Sequence, residues 1–372
     1  MILIIYKIGL KLHIYIHVPF CDSKCGYCGF FSQTDKGHLI ADYFSALRAD
    51  LGYQLESFGD LDSKINTIFI GGGTPNAVDS IYYEDIFSLL SPFYSDNCEI
   101  SIESNPNLIT KNWLSDMKNL GINRISLGVQ SFFSDKLELL ERHHNATDTL
   151  NAIDLVRQYF DNISIDLIYN TALDSKKRLS EEIKTASALN LSHISAYSLS
   201  IDNNSHFAKF NRHDTRNSDN LSDFIRDLLR ENNFMHYEVS NYCKLDSNLL
   251  KNTCKHNLAY WAMDEYLGVG ASSVGRVKNR RYTGAKNIES YIKNPTQKSI
   301  EILNENDLIF EEIFLGLRSI LGVKSKVVRE FCAKNKTTEK LKNLLKENVC
   351  YEKNGRIYAS DLFMADNIVL YI

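Results

Sequence analysis

The stretch Cys21-Asp-Ser-Lys-Cys25-Gly-Tyr-Cys28 places three cysteines within eight residues, directly after a short β-branched run that ends at Val18. Three thiolates this close together suit an iron–sulfur cubane. Because a cubane has four irons, three protein ligands leave one iron open to another chelator. A zinc ribbon would need a second Cys-x-x-Cys pair, which the sequence does not contain. A redox pair formed by Cys25 and Cys28 would leave Cys21 without a role.

The composition is that of an ordinary globular protein. The chain has 372 residues, of which 44% are hydrophobic and 24% charged, so we expect two to three folded domains. A net charge of -4 argues against bulk electrostatic binding to nucleic acid. The apolar start, residues 1–6, is interrupted by Lys7 and Lys11 long before the ~20 residues that a membrane span needs.

We therefore expect no integral membrane segment, no signal peptide and a cytoplasmic location, where cysteines stay reduced. The five cysteines outside the triplet are isolated in the sequence, and we expect them to have no metal role. They are Cys98, Cys243, Cys254, Cys332 and Cys350.

Short β-branched runs alternate with helical patterns through the first two hundred residues. This alternation predicts parallel strands joined by crossover helices, as in an α/β barrel or a doubly wound sheet. The predicted strands are 13–18, 67–70, 99–103, 124–129, 164–168 and 193–199. Capped helices are predicted over 110–120 and 147–160.

The pattern changes in the second half of the chain. A polar loop is predicted over 201–220, and helices return from about Asn304. We divide the chain into a core (1–240), a connecting region (241–300) and a helical C-terminal domain (301–372). Between Lys324 and Arg356 the last part carries ten Lys or Arg against four Asp or Glu. We interpret this basic segment as a solvated face, with no nucleic-acid partner.

Six further motifs, in order along the chain, make the pattern resemble the radical S-adenosylmethionine superfamily. Together they resemble its coproporphyrinogen-oxidase-like branch, and within it the heme chaperones. The resemblance covers nearly the whole chain from about Leu12. It implies a partial (β/α)6 parallel barrel with a small helical, winged-helix-like C-terminal domain. The motifs are YIHVPFC (15–21), GGGTP (71–75), IESNP (102–106), RISLGVQSF (124–132), DLIY (166–169) and HNLAYW (256–261).

This resemblance implies a [4Fe-4S] cluster held by Cys21, Cys25 and Cys28, with S-adenosylmethionine on the open iron. Most of the expected contacts lie near strand ends, where ligands bind to parallel barrels. Taken singly, each polar member of the set is equally well explained as a satisfied strand-end residue or a surface ion pair. The expected cluster and nucleotide contacts are Tyr15, Tyr27, Gly72, Gly73, Thr74, Glu103, Gln130, Arg142 and Asp166.

His256 is the candidate heme contact. Imidazole is a common axial ligand of heme iron, and the resemblance places His256 at such a site. The alternative is that a lone histidine beside Tyr260 and Trp261 is a hydrogen-bonded core residue.

One position separates two functional hypotheses. The oxygen-independent coproporphyrinogen oxidases carry a further cysteine two residues after the third, and here that position is Phe30. We therefore favour a non-catalytic heme chaperone that passes heme to an unidentified acceptor protein. The alternative is an oxygen-independent coproporphyrinogen III oxidase or a related radical enzyme acting on a porphyrin. A third, weaker hypothesis is a radical methylase or heme-degrading relative with the same core.

Overall fold

The structure is a computed structural model that describes residues 12–58, 64–203, 205–210, 212, 216, 217 and 220–372. Residues 1–6, on which the expectation about a leader or membrane segment rests, lie outside these ranges. Within the described ranges, no helix is long and apolar enough to cross a membrane.

Six parallel strands form the centre of the fold, and each pairs with the next along the chain. All six predicted strands are confirmed, with most ends within two residues and β3 beginning five residues earlier. The strands are β1 (Leu12–Val18), β2 (Ile65–Gly72), β3 (Tyr94–Ser104), β4 (Arg124–Gln130), β5 (Ile163–Tyr169) and β6 (His193–Ser198).

Helices connect these strands, and their ends follow local sequence signals. Thr110 accepts a hydrogen bond from the Trp113 backbone N–H at 3.2 Å, which caps the helix that is predicted over 110–120. Asn145 and Asp148 form a reciprocal capping box at the start of the helix that is predicted over 147–160. The helices are α1 (Ile40–Phe58), α2 (Ile81–Leu90), α3 (Lys111–Asn119), α4 (Ser134–Leu139), α5 (Ala146–Val156), α6 (Lys176–Ala188), α7 (His206–Lys209) and α8 (Ser222–Glu231).

The two faces of the strands differ in polarity. Ile14 and Ile16 of β1 are buried in the apolar core, whereas His13, which precedes Ile14 and points to the opposite face, is hydrogen-bonded through its Nδ1 to the hydroxyl of Thr67 on β2 at 2.8 Å. On the other side of the barrel, the Ser164 hydroxyl and the His193 Nδ1 are hydrogen-bonded at 2.7 Å. The barrel interior therefore carries buried polar side chains that hydrogen-bond between neighbouring strands.

The sheet continues beyond the six strands on both sides. β7 (Phe234–Glu238) and β8 (Asn241–Lys244) extend it past β6, and β9 (Tyr266–Val269) pairs in parallel with β1. Three antiparallel strands follow β9: β10 (Val274–Val277), β11 (Arg280–Gly284) and β12 (Lys298–Ile302). Two helices belong to this part, α9 (Lys255–Trp261) and α10 (Ile288–Lys293).

The C-terminal residues form a separate hydrophobic core, which includes Ile313, Leu341 and Ile357. The helices here are α11 (Glu305–Leu317), α12 (Ser325–Lys334), α13 (Thr338–Lys346) and α14 (Ala365–Tyr371). A small antiparallel sheet packs with them, in the order β13 (Val323–Lys324), β15 (Arg356–Ala359), β14 (Cys350–Lys353). The fold is thus a partial parallel barrel with a helical, winged-helix-like C-terminal domain, as predicted.

Candidate functional site

The three cysteines lie in the loop that follows β1 and line one cavity of about 480 Å³, which we call the cluster cavity. All three thiols are free. The Cys21 backbone N–H donates to the Gln33 carbonyl at 3.1 Å, which closes the loop at its base. Burial raises the pKa of the Cys21 and Cys28 thiols, so both are neutral until a metal displaces their protons.

The donor set of this cavity fits a polynuclear cluster. Among the described residues, no group of three His, Cys, Asp or Glu side chains is arranged to hold one metal ion. A cubane differs from a single ion because each cysteine binds a different iron, so the thiols do not converge on one point. The Arg142 Nη1 lies 3.3 Å from the Cys25 Sγ, and a cation there offsets the charge of a thiolate ligand.

The glycine-rich loop after β2 packs against the cysteine loop through its backbone. Gly73 donates to the Val18 carbonyl at 2.8 Å, and Thr74 donates to the Phe20 carbonyl at 2.7 Å. A Cβ on Gly73 would lie 2.7 Å from both carbonyl oxygens, which leaves no room for a side chain. The Thr74 hydroxyl lies 3.5 Å from the Cys21 Sγ.

Asn105 lies in the IESNP motif but is not among the predicted contacts, and it connects the two sides of the cavity. Its Nδ2 donates to the Thr74 hydroxyl at 3.3 Å, and its Oδ1 accepts from the Arg142 Nη2 at 2.9 Å. The same guanidinium nitrogen donates to the Gly128 carbonyl at 2.7 Å. The sequence signal for Asn105 is its place directly after β3, two residues from the predicted contact Glu103.

Two buried carboxyl groups line the same cavity. Glu103 accepts from the Gly72 backbone N–H at 3.1 Å, and Asp166 accepts from the Ser126 hydroxyl at 3.3 Å. Burial, with the neighbouring charge of Asp166, raises the pKa of Glu103 to about 7. Burial also raises the pKa of Asp166. A ligand that donates from hydroxyl or ammonium groups would satisfy both carboxyl groups.

Gln130 adopts a backbone conformation that non-glycine residues rarely adopt. Its φ is +65°, at a point where the register between β4 and β5 is irregular. Such strain costs of order 1–3 kcal/mol and is concentrated at ligand sites. Its side chain reaches the cluster cavity together with most of the other predicted residues. The predicted members are Cys21, Cys25, Tyr27, Cys28, Gly72, Gly73, Thr74, Glu103, Gln130, Arg142 and Asp166.

Tyr15 is predicted at this site but is not among the residues that line the cluster cavity. Its hydroxyl is 2.9 Å from the His17 Nδ1, and its ring stacks on Phe69. The His17 Nε2 lies 2.8 Å from the Phe31 carbonyl oxygen, so Nε2–H donates there and Nδ1 accepts from Tyr15. Tyr15 is thus linked through His17 to the backbone of Phe31, three residues after the last cysteine of the loop.

A second cavity of about 610 Å³ lies between the two sides of the open sheet, and we call it the lateral cavity. Its walls come from β6, β7 and β8 on one side, from β9, β10 and β11 on the other, and from α9 and α11. Aromatic and charged side chains share the lining. Among the residues that line it are Tyr197, Glu238, Asn241, Tyr260, Trp261, Met263, Asp264, Tyr266, Arg276, Arg281, Glu311, Phe314 and Leu315.

His256 does not line either cavity. It is 1% exposed, its Nδ1 lies 2.6 Å from the Thr67 hydroxyl, and its Nε2 lies 2.9 Å from the Tyr260 hydroxyl. Burial lowers its pKa well below the ordinary value, so the imidazole is neutral. Binding to an iron would require His256 to release one of these partners, whereas Tyr260 and Trp261 already face the lateral cavity.

Comparison with known proteins places the chain in a family. The model of the Radical SAM superfamily matches residues 15–173. The heme chaperone HemW of Buchnera aphidicola subsp. Acyrthosiphon pisum is 33% identical over 331 residues, which cover 86% of each chain. The HemW of Lactococcus lactis subsp. lactis is 30% identical over 93% of both chains. The chain belongs to the HemW family.

Membership of the HemW family and of the radical SAM superfamily implies a [4Fe-4S] cluster and S-adenosylmethionine. A solved structure of coproporphyrinogen III oxidase (HemN) from Escherichia coli matches 98% of this chain and 90% of its own, with a TM-score of 0.81. Its sequence identity to this HemW-family chain is 20%, so the likeness establishes the fold.

Proposed function

We propose that this protein is a cytoplasmic heme chaperone, which holds a [4Fe-4S] cluster with S-adenosylmethionine and passes heme to an acceptor protein. The observation that carries the proposal is the lateral cavity, which has aromatic walls from α9 and is separate from the cavity of the cysteines. The heme chaperones among its relatives support the same function.

In the cluster cavity, Cys21, Cys25 and Cys28 would hold the cluster, which supplies an iron with an open position for the nucleotide. Glu103 and Asp166 would accept from hydroxyl or ammonium groups of that ligand. Meanwhile Arg142, fixed by hydrogen bonds to Asn105 and Gly128, would balance the charge of the thiolates. Tyr27, Gly72, Gly73, Thr74 and Gln130 complete the lining.

The lateral cavity suits a planar, largely apolar ligand with carboxylate groups. Its volume of about 610 Å³ is within the usual range for small-molecule sites, roughly 300–1,000 Å³. Tyr260, Trp261 and Phe314 offer apolar ring surface. Arg276 donates to the backbone carbonyls of Met263, Lys278 and Asp264, the last two at 2.9 and 3.0 Å. These acceptors are uncharged and no carboxylate of the described residues forms an ion pair with Arg276, so its positive charge is available to a propionate.

Two candidates for the iron ligand follow from the geometry. His256 is the ligand that the sequence predicts, although it lies behind Tyr260 and must give up a hydrogen bond. Met263 lines the cavity directly, and thioethers ligate heme iron in cytochromes.

The second candidate function is an oxygen-independent coproporphyrinogen III oxidase, which the likeness to a solved structure of such an oxidase favours. Phe30 argues against it. This residue is 71% exposed at the edge of the cluster cavity, in the position where the oxidases carry a cysteine.

One set of measurements separates the two functions. The protein is purified and its cluster reconstituted without oxygen, and hemin is titrated while the heme absorption is followed. In a separate assay, coproporphyrinogen III is supplied with S-adenosylmethionine and a reductant. We expect saturable binding of hemin and no decarboxylation. Turnover of coproporphyrinogen III would overturn the chaperone function.

Two variants identify the iron ligand. His256→Ala and Met263→Ala are compared with Met364→Ala, which removes an exposed methionine of the C-terminal domain. The variant that lacks the ligand should show a shifted heme absorption band and weaker hemin binding, and Met364→Ala should match the wild type. An unchanged spectrum in His256→Ala would contradict the predicted role of His256.

A further inference from the structure

Tyr197 lines both cavities. It stands on β6 two residues after Ser195 and four after His193, whose side chain lies in the barrel interior. Since side chains alternate along a strand, Tyr197 faces the same interior, at the end of β6 where the barrel opens sideways. Its side chain is therefore a shared wall between the cluster cavity and the lateral cavity.

The ring of Tyr197 is open, although the cleft around it is deep. The residue is 42% exposed, which leaves ring surface that no described protein atom covers. Its surroundings raise the pKa of Tyr197 well above the ordinary value, because the cleft is poorly solvated and carboxyl groups lie nearby. Asp166 and Glu103 belong to the cluster cavity, and Glu238 belongs to the lateral cavity.

We propose that Tyr197 contacts the nucleotide in one cavity and the porphyrin in the other, so that each ligand raises the affinity for the second. This inference rests on the proposed function. A half-exposed tyrosine loses rotational freedom when a ligand packs against it, and the second ligand then finds the ring already ordered.

The expected coupling is modest and measurable. Ordering one side chain costs about 0.5–1.5 kcal/mol on binding, which corresponds to roughly a two- to tenfold change in affinity. Coupling between two binding equilibria is reciprocal, so hemin must tighten the nucleotide by the same factor by which the nucleotide tightens hemin.

The test uses the full chain with its reconstituted, oxidised cluster and no reductant, so that S-adenosylmethionine is bound but not cleaved. Hemin affinity is measured with and without saturating S-adenosylmethionine. We expect a two- to tenfold tightening in the wild type and none in Tyr197→Ala. The matched control is Tyr53→Ala, which removes an exposed tyrosine from α1 and should keep the full coupling.

Different outcomes of this experiment would overturn the proposed function and the role of Tyr197. If the wild type does not bind hemin, both fail. If it binds both ligands but their affinities are independent, or if Tyr197→Ala keeps the coupling, the role of Tyr197 is overturned and the chaperone function stands. If the alanine variant does not fold, Tyr197→Leu takes its place in the test, because leucine keeps the bulk of the side chain without an aromatic face. The coupling should be lost in this variant too.

Discussion

At the scale of the residue, burial alone does not distinguish the cysteines of the cluster loop from the others. Cys25 lines the cluster cavity and Cys332 lies in the C-terminal core, yet both are buried and free. The difference lies in their neighbours. The Arg142 guanidinium is 3.3 Å from the Cys25 Sγ, whereas Cys332 is packed among apolar side chains. The positive charge of Arg142 would offset the charge of a cluster-bound thiolate at Cys25, whereas burial raises the pKa of the Cys332 thiol.

Replacing Cys25 with alanine should therefore abolish the brown iron–sulfur absorption of the reconstituted protein, because two cysteines cannot hold the cubane. The matched change Cys332→Ala should leave that absorption and the iron content unchanged, at a cost of about 1 kcal/mol in unfolding free energy. Absorption spectra and iron and sulfide analysis measure both. An intact spectrum in Cys25→Ala would refute the ligand assignment.

Glu238, in the wall of the lateral cavity, makes stability depend on pH. Burial raises its pKa to about 8, against the opposing charge of Arg318. Between the ordinary pKa of 4.5 and about 8, the unfolded chain releases this proton while the folded chain keeps it. The free energy of unfolding should then fall as pH rises through this window, by up to about 1.4 kcal/mol per pH unit.

The Glu238→Gln variant removes this contribution because its amide does not titrate. Urea denaturation at pH 5, 6, 7 and 8 should show that the variant gains stability relative to the wild type as pH rises. The control is Glu305→Gln, at the exposed start of α11, whose free energy of unfolding should change with pH in the same way as that of the wild type. A constant difference between wild type and Glu238→Gln across this range would contradict the buried, protonated carboxyl.

At the scale of the element, the backbone of the loop after β2 holds the cysteine loop in place. Gly73→Ala would place a Cβ 2.7 Å from the carbonyl oxygens of Val18 and Phe20, and the cysteine loop would have to move. We expect a loss of about 1–3 kcal/mol in unfolding free energy, together with lower cluster content. Thermal or chemical denaturation and iron analysis measure the two effects.

The control for this change is Gly52→Ala in α1. The nearest atom to its Cβ is 4.0 Å away, and alanine favours a helix interior over glycine by roughly 0.5–1 kcal/mol. This variant should therefore be slightly more stable and keep its full cluster. Equal behaviour of the two alanine variants would show that the close approach at Gly73 is unimportant.

The sequence predicts the first six strands well because each is a β-branched run followed by a helix with its own signals. The same reasoning misses the extension by β9 to β12. These strands are four or five residues long and antiparallel after β9, and β12 is largely exposed, so no clear apolar period marks them. Their place beside β1 is set by pairing with a strand more than 250 residues away, which local pattern does not encode.

At the scale of the whole molecule, the sequence could predict the cluster cavity but not the lateral one. The cluster cavity is built from strand ends that a parallel barrel brings together. The lateral cavity depends on how far the barrel stays open and on where α11 packs. The alternation along β6 predicts that Tyr197 faces the barrel interior, because His193 and Ser195 precede it at a spacing of two residues. The sequence does not predict that Tyr197 also lines the lateral cavity.

The lateral cavity also joins the barrel to the C-terminal domain. On α11, Phe314 and Leu315 line the cavity, whereas Ile313 and Leu317 belong to the C-terminal core. A ligand in this cavity must therefore stabilise both parts of the molecule. At a free concentration one hundred times its dissociation constant, a ligand adds about 2.7 kcal/mol to the stability of the state that binds it.

Amide hydrogen exchange can locate the bound porphyrin. If hemin binds in the lateral cavity, it should slow exchange in α9 and α11 and leave α5, which does not line this cavity, unchanged. S-adenosylmethionine alone should instead slow exchange in the loops after β1 and β2. Hemin that binds without protecting α11 would lie outside the lateral cavity. The junction between barrel and C-terminal domain would then need another role, because its aromatic walls would have no ligand to pack against.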